Sequence, residues 1–385
     1  MSQPGRAIVG ARIFDGSTLH DGAALLVADG RVEGIVPCDA IPPDHTREDL
    51  GGGTLAPGFI DLQVNGGGGV MFNDAPTVET LRTMAEAHAS LGTTALLPTL
   101  ITDTPEITRA AIAATSEAIR QGVPGIVGLH LEGPHLSIAR KGAHDPSLIR
   151  AMTDEDEAAL CAAAAQLPVL LHTCAPESVT PAQMRRLADA GILVSIGHSN
   201  CTFEAARTAA ESGARCVTHL FNAMSPLGHR DPGVVGAALR RPDFSAGLIA
   251  DFVHVHPDVV QIALAAKVGP GQIFLVTDAM APAGTDQAEF TLNARTIRRE
   301  NGRLTLADGT LAGADLDFPT AISNLLSIGV APAQALAMAT SIPAGLIGAP
   351  GGIGTLMAGA PADLVHLDPT GRLLSVWRRG QVSSP

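Results

Sequence analysis

The segment VLLHTCAPESVTPAQMRRLADAGILVSIGH, residues 169–198, contains the pattern from which we predict the fold. It opens with an apolar run at Val169–Thr173, continues through a segment of helical spacing at Pro181–Ala190, and returns to a second apolar run at Leu193–Gly197. Short apolar runs separated by a helix are typical of neighbouring parallel strands that are buried on both faces. The stretch therefore predicts one β–α–β unit.

The same unit recurs along most of the chain. The apolar runs are Leu55–Val64, Thr94–Leu97, Ile126–Leu131, Val169–Thr173, Leu193–Gly197, Cys216–Leu220, Gly247–Phe252 and Ile273–Thr277. The helical patterns between them include Glu79–Leu91, Pro105–Arg120, Asp154–Ala165, Phe203–Glu211 and Pro257–Ala266. Eight units of this kind in one span predict an α/β fold of the (β/α)8 TIM-barrel class.

The two ends of the chain have a different pattern. Short β-type runs separated by Asp-Gly turns open the chain, and further strand-like runs close it, at Ala7–Phe14, Ala23–Val27, Arg31–Val36, Asp363–Leu367 and Leu373–Trp377. We predict that both ends form one small β-sandwich-like domain beside the barrel. The predicted domains are residues 1–54 (small β domain, N-terminal part), 55–350 (barrel) and 351–385 (small β domain, C-terminal part).

Composition limits the function classes. The 385 residues carry 25 Lys and Arg against 38 Asp and Glu, a formal net charge of −13, so no basic excess exists to bind nucleic acid. Hydrophobic residues make up 46%, which is enough for a large core. The N-terminus does not resemble a signal peptide, and no apolar run has the length of about 18–20 residues that spans a bilayer. We therefore expect a cytoplasmic protein with no nucleic-acid or membrane partner.

Polar residues of the kind that bind metals follow the predicted strands at their carboxyl ends. In a barrel, these ends converge on one mouth, which is where such barrels place their active sites. A random scatter of 13 His would not favour these positions so consistently. The residues are Asp61, Gln63, Asn65, His130, Glu132, His172, His198, His219, Asn222, Asp251, His254 and Asp278.

A carboxylate and two imidazoles are typical ligands of a catalytic Zn²⁺ site with one open position. We assign Glu132, His198 and His219 as the ligands, although an isolated His is more often a hydrogen-bonded interior residue. Asp278 is placed to accept a proton from a metal-activated water; the alternative is that it orients a ligand His, the role that also suits Asp61.

Seven segments of the chain resemble the amidohydrolase superfamily, and within it deacetylases of phosphorylated amino sugars. They run over nearly the whole chain in the order of the family: PGFIDLQVNG (57–66), HLEGPH (130–135), KGAHDP (141–146), GHSN (197–200), THLFNAM (218–224), VTDA (276–279) and GAPADL (359–364). The resemblance implies hydrolysis of N-acetyl-D-glucosamine 6-phosphate to D-glucosamine 6-phosphate and acetate, in amino-sugar catabolism.

The resemblance also implies roles for individual residues. It makes Glu132, His198 and His219 metal ligands and Asp278 the catalytic base and then acid. It implies that His144 contacts the sugar or its acetyl carbonyl, and that Asn222 and Ala223 supply hydrogen-bond donors to the substrate. Arg230 and His254 resemble the phosphate-binding pair of the family. The resemblance also implies a homodimer in which Arg230 reaches the site of the neighbouring subunit.

The chain departs from the wider superfamily after its first barrel strand. Many amidohydrolases carry His-x-His there and bind two metals, whereas this chain has Gln63 and Asn65, which are poor ligands for a second Zn²⁺. We therefore expect one divalent ion per subunit, with Zn²⁺ as first choice and Fe²⁺, Co²⁺ or Mn²⁺ as alternatives. His135 stands where relatives have Phe or Tyr, and packing, ligation and substrate contact stay open for it; His172 is treated as interior.

Two other functions remain open on the sequence. The same fold and metal would serve an enzyme that deacetylates N-acetylgalactosamine 6-phosphate or another N-acyl amine. A non-enzymatic sugar-phosphate-binding barrel is the alternative from a different class. The presence of all three ligand residues together with Asp278 argues against the binding protein.

Overall fold

The computed structural model describes residues 5–293 and 295–383 and contains the predicted alternation of strands and helices. The strands are β1 (Arg6–Val9), β2 (Arg12–Phe14), β3 (Leu19–His20), β4 (Ala23–Ala28), β5 (Arg31–Pro37), β6 (Thr46–Asp49), β7 (Thr54–Pro57), β8 (Phe59–Val64), β9 (Gly66–Gly67), β10 (Val70–Met71), β11 (Thr93–Ile101), β12 (Leu129–Glu132), β13 (Leu170–Cys174), β14 (Leu193–Ile196), β15 (Cys216–Val217), β16 (Ser245–Leu248), β17 (Ile273–Leu275), β18 (Glu289–Leu292), β19 (Arg295–Glu300), β20 (Arg303–Thr305), β21 (Leu364–Leu367), β22 (Leu373–Arg378) and β23 (Gln381–Ser383).

The helices are α1 (Val78–Ser90), α2 (Pro105–Arg120), α3 (Asp154–Ala164), α4 (Pro181–Asp189), α5 (Phe203–Glu211), α6 (Gly233–Arg240), α7 (Pro257–Ala266), α8 (Phe318–Ser327), α9 (Pro332–Ala339) and α10 (Ser341–Leu346). Helices α1 to α5 and α7 follow the predicted bounds closely, whereas α6 and α10 were not predicted. None of the helices in the described ranges combines the length and the apolar composition needed to cross a membrane.

Eight parallel strands form one sheet in the order β17-β16-β15-β14-β13-β12-β11-β8. The two edges of this sheet meet, because Val64 and Ala279 form a parallel bridge and the amide of Asn65 donates to the carbonyl of Ala279 at 2.8 Å. The amide of Asp278 donates in the same way to the carbonyl of Gln63 at 3.0 Å. The predicted TIM-barrel class is therefore confirmed.

The helices of the barrel begin where the local sequence supplies a cap. In α4, the Thr180 side chain accepts from the amide of Gln183, the Gln183 side chain accepts from the amide of Thr180, and Pro181 occupies the first position. This capping box satisfies amides that the first helical turn leaves unpaired. Local chemistry of this kind explains why bounds such as those of α2 and α5 agree with the sequence prediction.

Two runs that the sequence analysis treated as single strands are divided between sheets. The predicted strand Leu55–Val64 is β7, in a six-stranded sheet, followed after Gly58 by β8 of the barrel. A Cβ on Gly58 would lie 2.1 Å from Thr94 Oγ1, so the chain passes too close to its neighbour there for a side chain. The predicted run Ala7–Phe14 is likewise β1 and β2, in two different sheets.

The chain divides into two compact units. Among the described residues, one unit comprises 5–61, 88–95 and 317–383, and the other comprises 62–87, 96–293 and 295–316. This division places residues 317–350 with the chain ends, and the domain boundaries predicted at residues 54 and 350 stay a prediction.

Strands from both ends of the chain share one sheet in the first unit. That sheet has the order β23-β22-β21-β7-β2-β3, and a second sheet has the order β5-β4-β1-β6. Side chains from both sheets, including Leu25, Leu55 and Trp377, form one buried core. Two sheets that face each other across a shared core form the sandwich-like arrangement that the sequence predicts.

The barrel unit carries a small antiparallel sheet after its last strand. Strands β18, β19 and β20 pair in sequence order, and Asn301-Gly302 forms the turn between β19 and β20. Leu292 and Ile297 from this sheet pack on Met71 and Met280. The packing holds the sheet over the mouth of the barrel, where Leu292 also lines a cavity.

Candidate active site

A cavity of about 490 Å³ lies at the carboxyl ends of the barrel strands, and all of its lining residues belong to the barrel unit. Most of the predicted site residues line it: Asn65, Glu132, His144, His198, His219, Asn222, Ala223, His254 and Asp278. The convergence predicted from the strand ends is therefore present in the structure.

Glu132, His198 and His219 form a tight triangle of ligand atoms. Glu132 Oε1 lies 3.2 Å from His198 Nε2 and 3.1 Å from His219 Nε2, and the two nitrogens are 3.1 Å apart. All three residues are buried. They are the single group of three or more His, Cys, Asp or Glu in the described part of the chain that could hold a metal ion.

Short strands position these residues through unusual backbone geometry. Glu132 is the last residue of β12, whereas His198 and His219 each follow the last residue of their strand by two positions. His198 (φ 47°), His219 (φ 27°) and Asp278 (φ 52°) all have left-handed backbone conformations. Such conformations cost on the order of 1–3 kcal/mol for a non-glycine residue and concentrate at functional sites.

The hydrogen bond on the far side of the His198 ring determines its tautomer. His198 Nδ1 lies 2.8 Å from the carbonyl oxygen of Arg140, which can only accept, so Nδ1 carries the hydrogen. In the neutral ring, the Nε2 lone pair then faces Glu132. Arg140 is held in turn, because its Nε donates to Asn200 Oδ1 at 2.9 Å.

Glu132 stays ionised within this cluster. Burial alone would raise its pKa, but the adjacent imidazoles of His198 and His219 hold that pKa well below its usual value. Gln63 Nε2 also donates to Glu132 Oε1 at 3.2 Å. Gln63 therefore contacts a ligand candidate through its amide and fixes the carboxylate.

Asp278 faces the same cavity in a different electrostatic state. Burial, followed by the negative charge of Glu132, raises the pKa of Asp278 to about 6. Asn65 Nδ2 donates to Asp278 Oδ1 at 2.7 Å and holds the carboxyl group in place. A carboxyl group with a pKa close to neutral can take up and return a proton at low cost.

The imidazole of His144 presents a hydrogen to the cavity. The amide of Thr102 donates to His144 Nδ1 at 3.3 Å, so in the neutral ring the hydrogen resides on Nε2, 3.7 Å from Glu132 Oε2. Burial lowers the pKa of His144 to about 3, which keeps the ring neutral.

His254 and Asn222 complete the polar lining. His254 Nδ1 lies 2.6 Å from Asp251 Oδ2, and this contact, against the effect of burial, lowers the pKa of Asp251. The backbone amide of Asn222 donates to the carbonyl of His219 at 2.9 Å. Ala223, next in sequence, has φ 49°.

The structure does not bring every predicted residue to the cavity. Arg230 is exposed and contacts His229 Nε2 at 2.8 Å, and it does not line the cavity of its own chain. Asp61 is fully buried, and it is not a lining residue either.

The two histidines with open roles are both interior. His135 is buried, with Nδ1 at 3.3 Å from the carbonyl oxygen of Arg150 and Nε2 at 4.0 Å from Asp156 Oδ2. His172 is fully buried, and its ring lies against that of His135 in an edge-to-face arrangement with a centroid distance of 5.7 Å. Neither lines the cavity, which agrees with packing as the role of His135.

The sequence analysis missed residues that support the site from a distance. Thr102 contacts His144 Nδ1 through its hydroxyl at 2.8 Å and through its amide at 3.3 Å, and Arg140 contacts His198 through its carbonyl, a group that every residue has. Leu292 and Leu311 line the cavity from the small sheet and the loop that follows it. No particular residue type is typical of such supporting positions. The signal available in the sequence was proximity to a motif, since Arg140 directly precedes KGAHDP.

The ligand triangle fits a divalent metal ion. Tetrahedral ligands at zinc distances lie about 3.3 Å from one another, close to the separations in this triangle. The lone pair of His198 Nε2 and the charged oxygen of Glu132 face each other at 3.2 Å, which is repulsive unless a cation or a proton lies between them. The donor set of one carboxylate and two imidazoles suits a borderline divalent ion.

The comparisons with known proteins agree with this geometry. Residues 54–383 match the amidohydrolase family, and the chain belongs to that family of metal-dependent hydrolases. A curated relative, N-acetylgalactosamine-6-phosphate deacetylase of Shewanella sp. (strain ANA-3), is 44% identical to it over 97% of this chain and 94% of the relative.

Two further relatives carry a related name. N-acetylglucosamine-6-phosphate deacetylase of Haemophilus influenzae is 37% identical, over 93% of this chain and 94% of the relative. The crystal structure of N-acetylglucosamine-6-phosphate deacetylase from Pasteurella multocida has a TM-score of 0.94 at 35% identity, covering 99% of this chain and 100% of that one. The family resemblance seen in the sequence motifs is therefore confirmed, and the chain is an enzyme of this family.

Proposed function

We propose that this enzyme hydrolyses the N-acetyl group of N-acetyl-D-glucosamine 6-phosphate to give D-glucosamine 6-phosphate and acetate. The observation that carries the proposal is the placement of the ligand triangle, the carboxyl group of Asp278 and the Nε2 hydrogen of His144 around one cavity. The names of relatives that match nearly the full length of the chain supply the substrate class.

Glu132, His198 and His219 would hold one divalent ion, for which Zn²⁺ is our first choice. When bound, such an ion polarises a carbonyl oxygen and lowers the pKa of a coordinated water toward about 7. The side-chain nitrogens of Gln63 and Asn65 donate to Glu132 and Asp278. The neutral amide oxygens of these two residues are poor ligands for a second Zn²⁺, which supports a single ion.

Asp278 is the proton carrier of the reaction. Its carboxylate accepts a proton as water attacks the acetyl carbonyl, and the same carboxyl group then protonates the departing amine nitrogen. Burial of Asp278 raises its pKa, and a carboxyl group with a raised pKa takes up a proton more readily than an exposed one, which suits the first step. Asn65 keeps the carboxyl oriented through both transfers.

His144 stabilises the oxygen that becomes negative. A neutral imidazole with its hydrogen on Nε2 donates to the acetyl oxygen as negative charge develops there. The amide of Thr102 fixes the ring, so the donor is already oriented before the substrate binds. The phosphate lies away from the reacting bond, where His254 faces the cavity.

The second phosphate ligand comes from a homodimer in this proposal. Arg230 is exposed and does not line the cavity of its own chain, so it is available to a neighbouring subunit. A guanidinium group binds a phosphate through two parallel hydrogen bonds, which an imidazole cannot do. Replacing Arg230 with Gln should therefore raise KM for the phosphorylated sugar more than it lowers kcat.

Acetate release from purified, metal-loaded protein tests the reaction. Asp278→Asn keeps the side-chain shape and the Asn65 neighbour but removes the proton acceptor, and we expect kcat to fall by about 10²- to 10⁴-fold. Metal content measured on the same preparation serves as the control. Near-native turnover with intact metal content would remove Asp278 as the base, and no acetate release from the native enzyme would favour a binding protein.

The galacto epimer is a second candidate substrate, because the Shewanella relative at 44% identity is named for it. The two substrates differ in the configuration of one hydroxyl group. Comparing kcat/KM for the two phosphorylated sugars and their unphosphorylated forms on one preparation decides between them. A preference for N-acetylgalactosamine 6-phosphate would replace the first candidate, and indifference to phosphate would contradict both.

A further inference from the structure

Four polar side chains form a hydrogen-bonded line across the interior of the barrel. His130 Nε2 lies 2.7 Å from Thr173 Oγ1, which lies 2.6 Å from Thr218 Oγ1, which in turn lies 2.6 Å from Ser195 Oγ. All four side chains are buried, with exposures between 0% and 4%. The line joins segments from four consecutive positions in the barrel, β12 to β15, and we call these residues the hydroxyl layer.

The hydrogen bonds of the hydroxyl layer all run in one direction. His130 Nδ1 lies 3.0 Å from the carbonyl oxygen of Leu62, which can only accept, so Nδ1 carries the ring hydrogen. Nε2 of the neutral ring must then accept from the hydroxyl of Thr173. The oxygen of the Thr173 hydroxyl then accepts a hydrogen bond from the Thr218 hydroxyl. The oxygen of the Thr218 hydroxyl accepts in turn from the Ser195 hydroxyl. Such aligned hydrogen bonds strengthen one another in a low-dielectric interior.

Polar side chains are unusual at these positions. The interior of a TIM barrel is filled by layers of side chains in which Val, Ile and Leu dominate. Valine has nearly the shape of threonine, so an apolar layer would fill the same space without the cost of burying hydroxyl groups. The stability of the barrel alone therefore does not explain the hydroxyl layer.

The hydroxyl layer lies directly next to the ligand triangle in sequence and register. His130 precedes Glu132 by two residues on β12, so both side chains point to the same face of the sheet. Thr218 immediately precedes His219, and Ser195 belongs to β14, which leads to His198. Thr173 is the register partner of Glu132 on the neighbouring strand.

The hydroxyl layer also packs closely against the backbone that leads to His198. A Cβ on Gly197, the residue before His198, would lie 2.7 Å from Thr173 Cγ2 and 2.9 Å from Thr218 Cβ. The backbone that carries His198 thus rests on two members of the layer. A shift in either threonine would be transmitted to a residue with φ 47°.

We propose that His130, Thr173, Thr218 and Ser195 act as positioning residues that lock the strand ends so that Glu132, His198 and His219 converge on one ion. The inference rests on the proposed metal-dependent function. In this arrangement, the direction of the hydrogen bonds fixes each hydroxyl rotamer, and the fixed rotamers set the spacing between strands. None of the four residues contacts the ion; their effect passes through the backbone.

Co²⁺ binding to chelator-treated protein tests the proposal without relying on turnover. We expect Thr218→Val and Thr173→Val each to weaken Co²⁺ affinity by about 10- to 100-fold, as measured by chelator competition, and to change the visible absorption of bound Co²⁺. Thr218→Ser keeps the hydroxyl and should retain the native affinity. Thr115→Val is the matched control, because Thr115 is fully buried on α2 and its hydroxyl has no hydrogen-bond partner in the described structure.

Each outcome is decisive. Native Co²⁺ affinity and an unchanged absorption spectrum in both valine variants would overturn the proposal, as would losses no greater than that of Thr115→Val. If Thr218→Val does not fold, Thr218→Ala and Thr218→Ser are compared instead, and equal affinities overturn it. Failure of the native protein to bind Co²⁺ would contradict the proposed function itself, whereas native binding with unaffected variants contradicts this inference alone.

Discussion

At the scale of single residues, the site depends on backbone conformations that the residue types do not favour. His198, His219 and Asp278 occupy the left-handed region, each just beyond the end of a barrel strand. At each of these residues the backbone changes direction sharply. The side chain therefore points into the mouth of the barrel and does not continue the alternation of the strand. The surrounding barrel must stabilise these conformations, because they are unfavourable in an isolated peptide.

His144 gives a prediction at the same scale. His144→Asn should lower kcat by about 10²- to 10³-fold, because the shorter side chain places no donor at the position of Nε2, while metal content stays native. Steady-state kinetics and metal analysis on one preparation check this. His256→Asn serves as the control, since the side chain of His256 is 67% exposed. A native kcat in the His144 variant would exclude it as the donor.

At the scale of elements, the barrel strands are short and the connections between them carry the chemistry. β15 comprises Cys216–Val217, although the sequence pattern predicted Cys216–Leu220, and β16 ends at Leu248, ahead of the predicted Phe252. His219, Asp251 and His254 consequently lie in the loops that follow. Loops on a rigid scaffold can adopt the irregular backbone that convergence on one site requires.

Gly197 provides a prediction for the element that leads to His198. Gly197→Ala should lower the free energy of unfolding by about 1–3 kcal/mol, because the added methyl group overpacks Thr173 and Thr218. Urea unfolding followed by circular dichroism measures the change. Gly345→Ala on α10 is the control, because a Cβ there meets nothing within 4 Å. Equal stabilities for the two variants would show that the barrel tolerates the contact.

At the scale of the whole molecule, one sheet joins strands from opposite ends of the chain. β21 lies between β22 and β7, with Leu364 opposite Pro57 in the register. Trp377 on β22 is 1% exposed and is part of the shared core. The folding of the first unit therefore depends on the last residues of the chain reaching a strand that precedes the barrel.

Substitution of Trp377 measures how far the stability of the first unit depends on the C-terminal strands. Trp377→Ala should lower the free energy of unfolding by about 3–5 kcal/mol because it leaves a large cavity. Trp377→Phe should cost less, because it keeps most of the apolar volume and the indole nitrogen has no hydrogen-bond partner in the described structure. Chemical denaturation compares the two variants with the native protein. Equal losses would contradict packing as the role of this side chain.

The buried histidines predict the pH dependence of global stability. Burial lowers the pKa of His135 to about 4 and that of His172 to about 3, below the value near 6.5 of an unfolded chain. The unfolded chain therefore binds more protons below pH 6.5, so the free energy of unfolding falls as the pH drops from about 6.5 toward 4, by roughly 1.4 kcal/mol per pH unit for each histidine.

Replacing one of these histidines tests the sign of this effect. His135→Phe removes one proton-binding difference and should flatten the loss of stability between about pH 6.5 and 4. Denaturant unfolding at several pH values measures the slope, with His256→Asn as the control at an exposed position. A slope as steep as that of the native protein would show that His135 does not contribute.

The barrel and most members of its site could be predicted from local sequence patterns. Apolar runs and caps such as Thr180 with Gln183 are local signals, and parallel strands place their carboxyl ends at one mouth, so Glu132, His198, His219 and Asp278 could be predicted to converge. The period of the pattern and the position of each strand end suffice for that inference.

The distribution of the chain between sheets and the contacts that hold the site residues depend on tertiary packing. The separation of β7 from β8 at Gly58, the carbonyl of Arg140 behind His198 and the amide of Thr102 behind His144 are contacts between segments or backbone groups. A local sequence pattern indicates whether a segment favours helix or strand and which of its faces is buried. It does not record which distant backbone group lies opposite, because that depends on the packing of the whole chain.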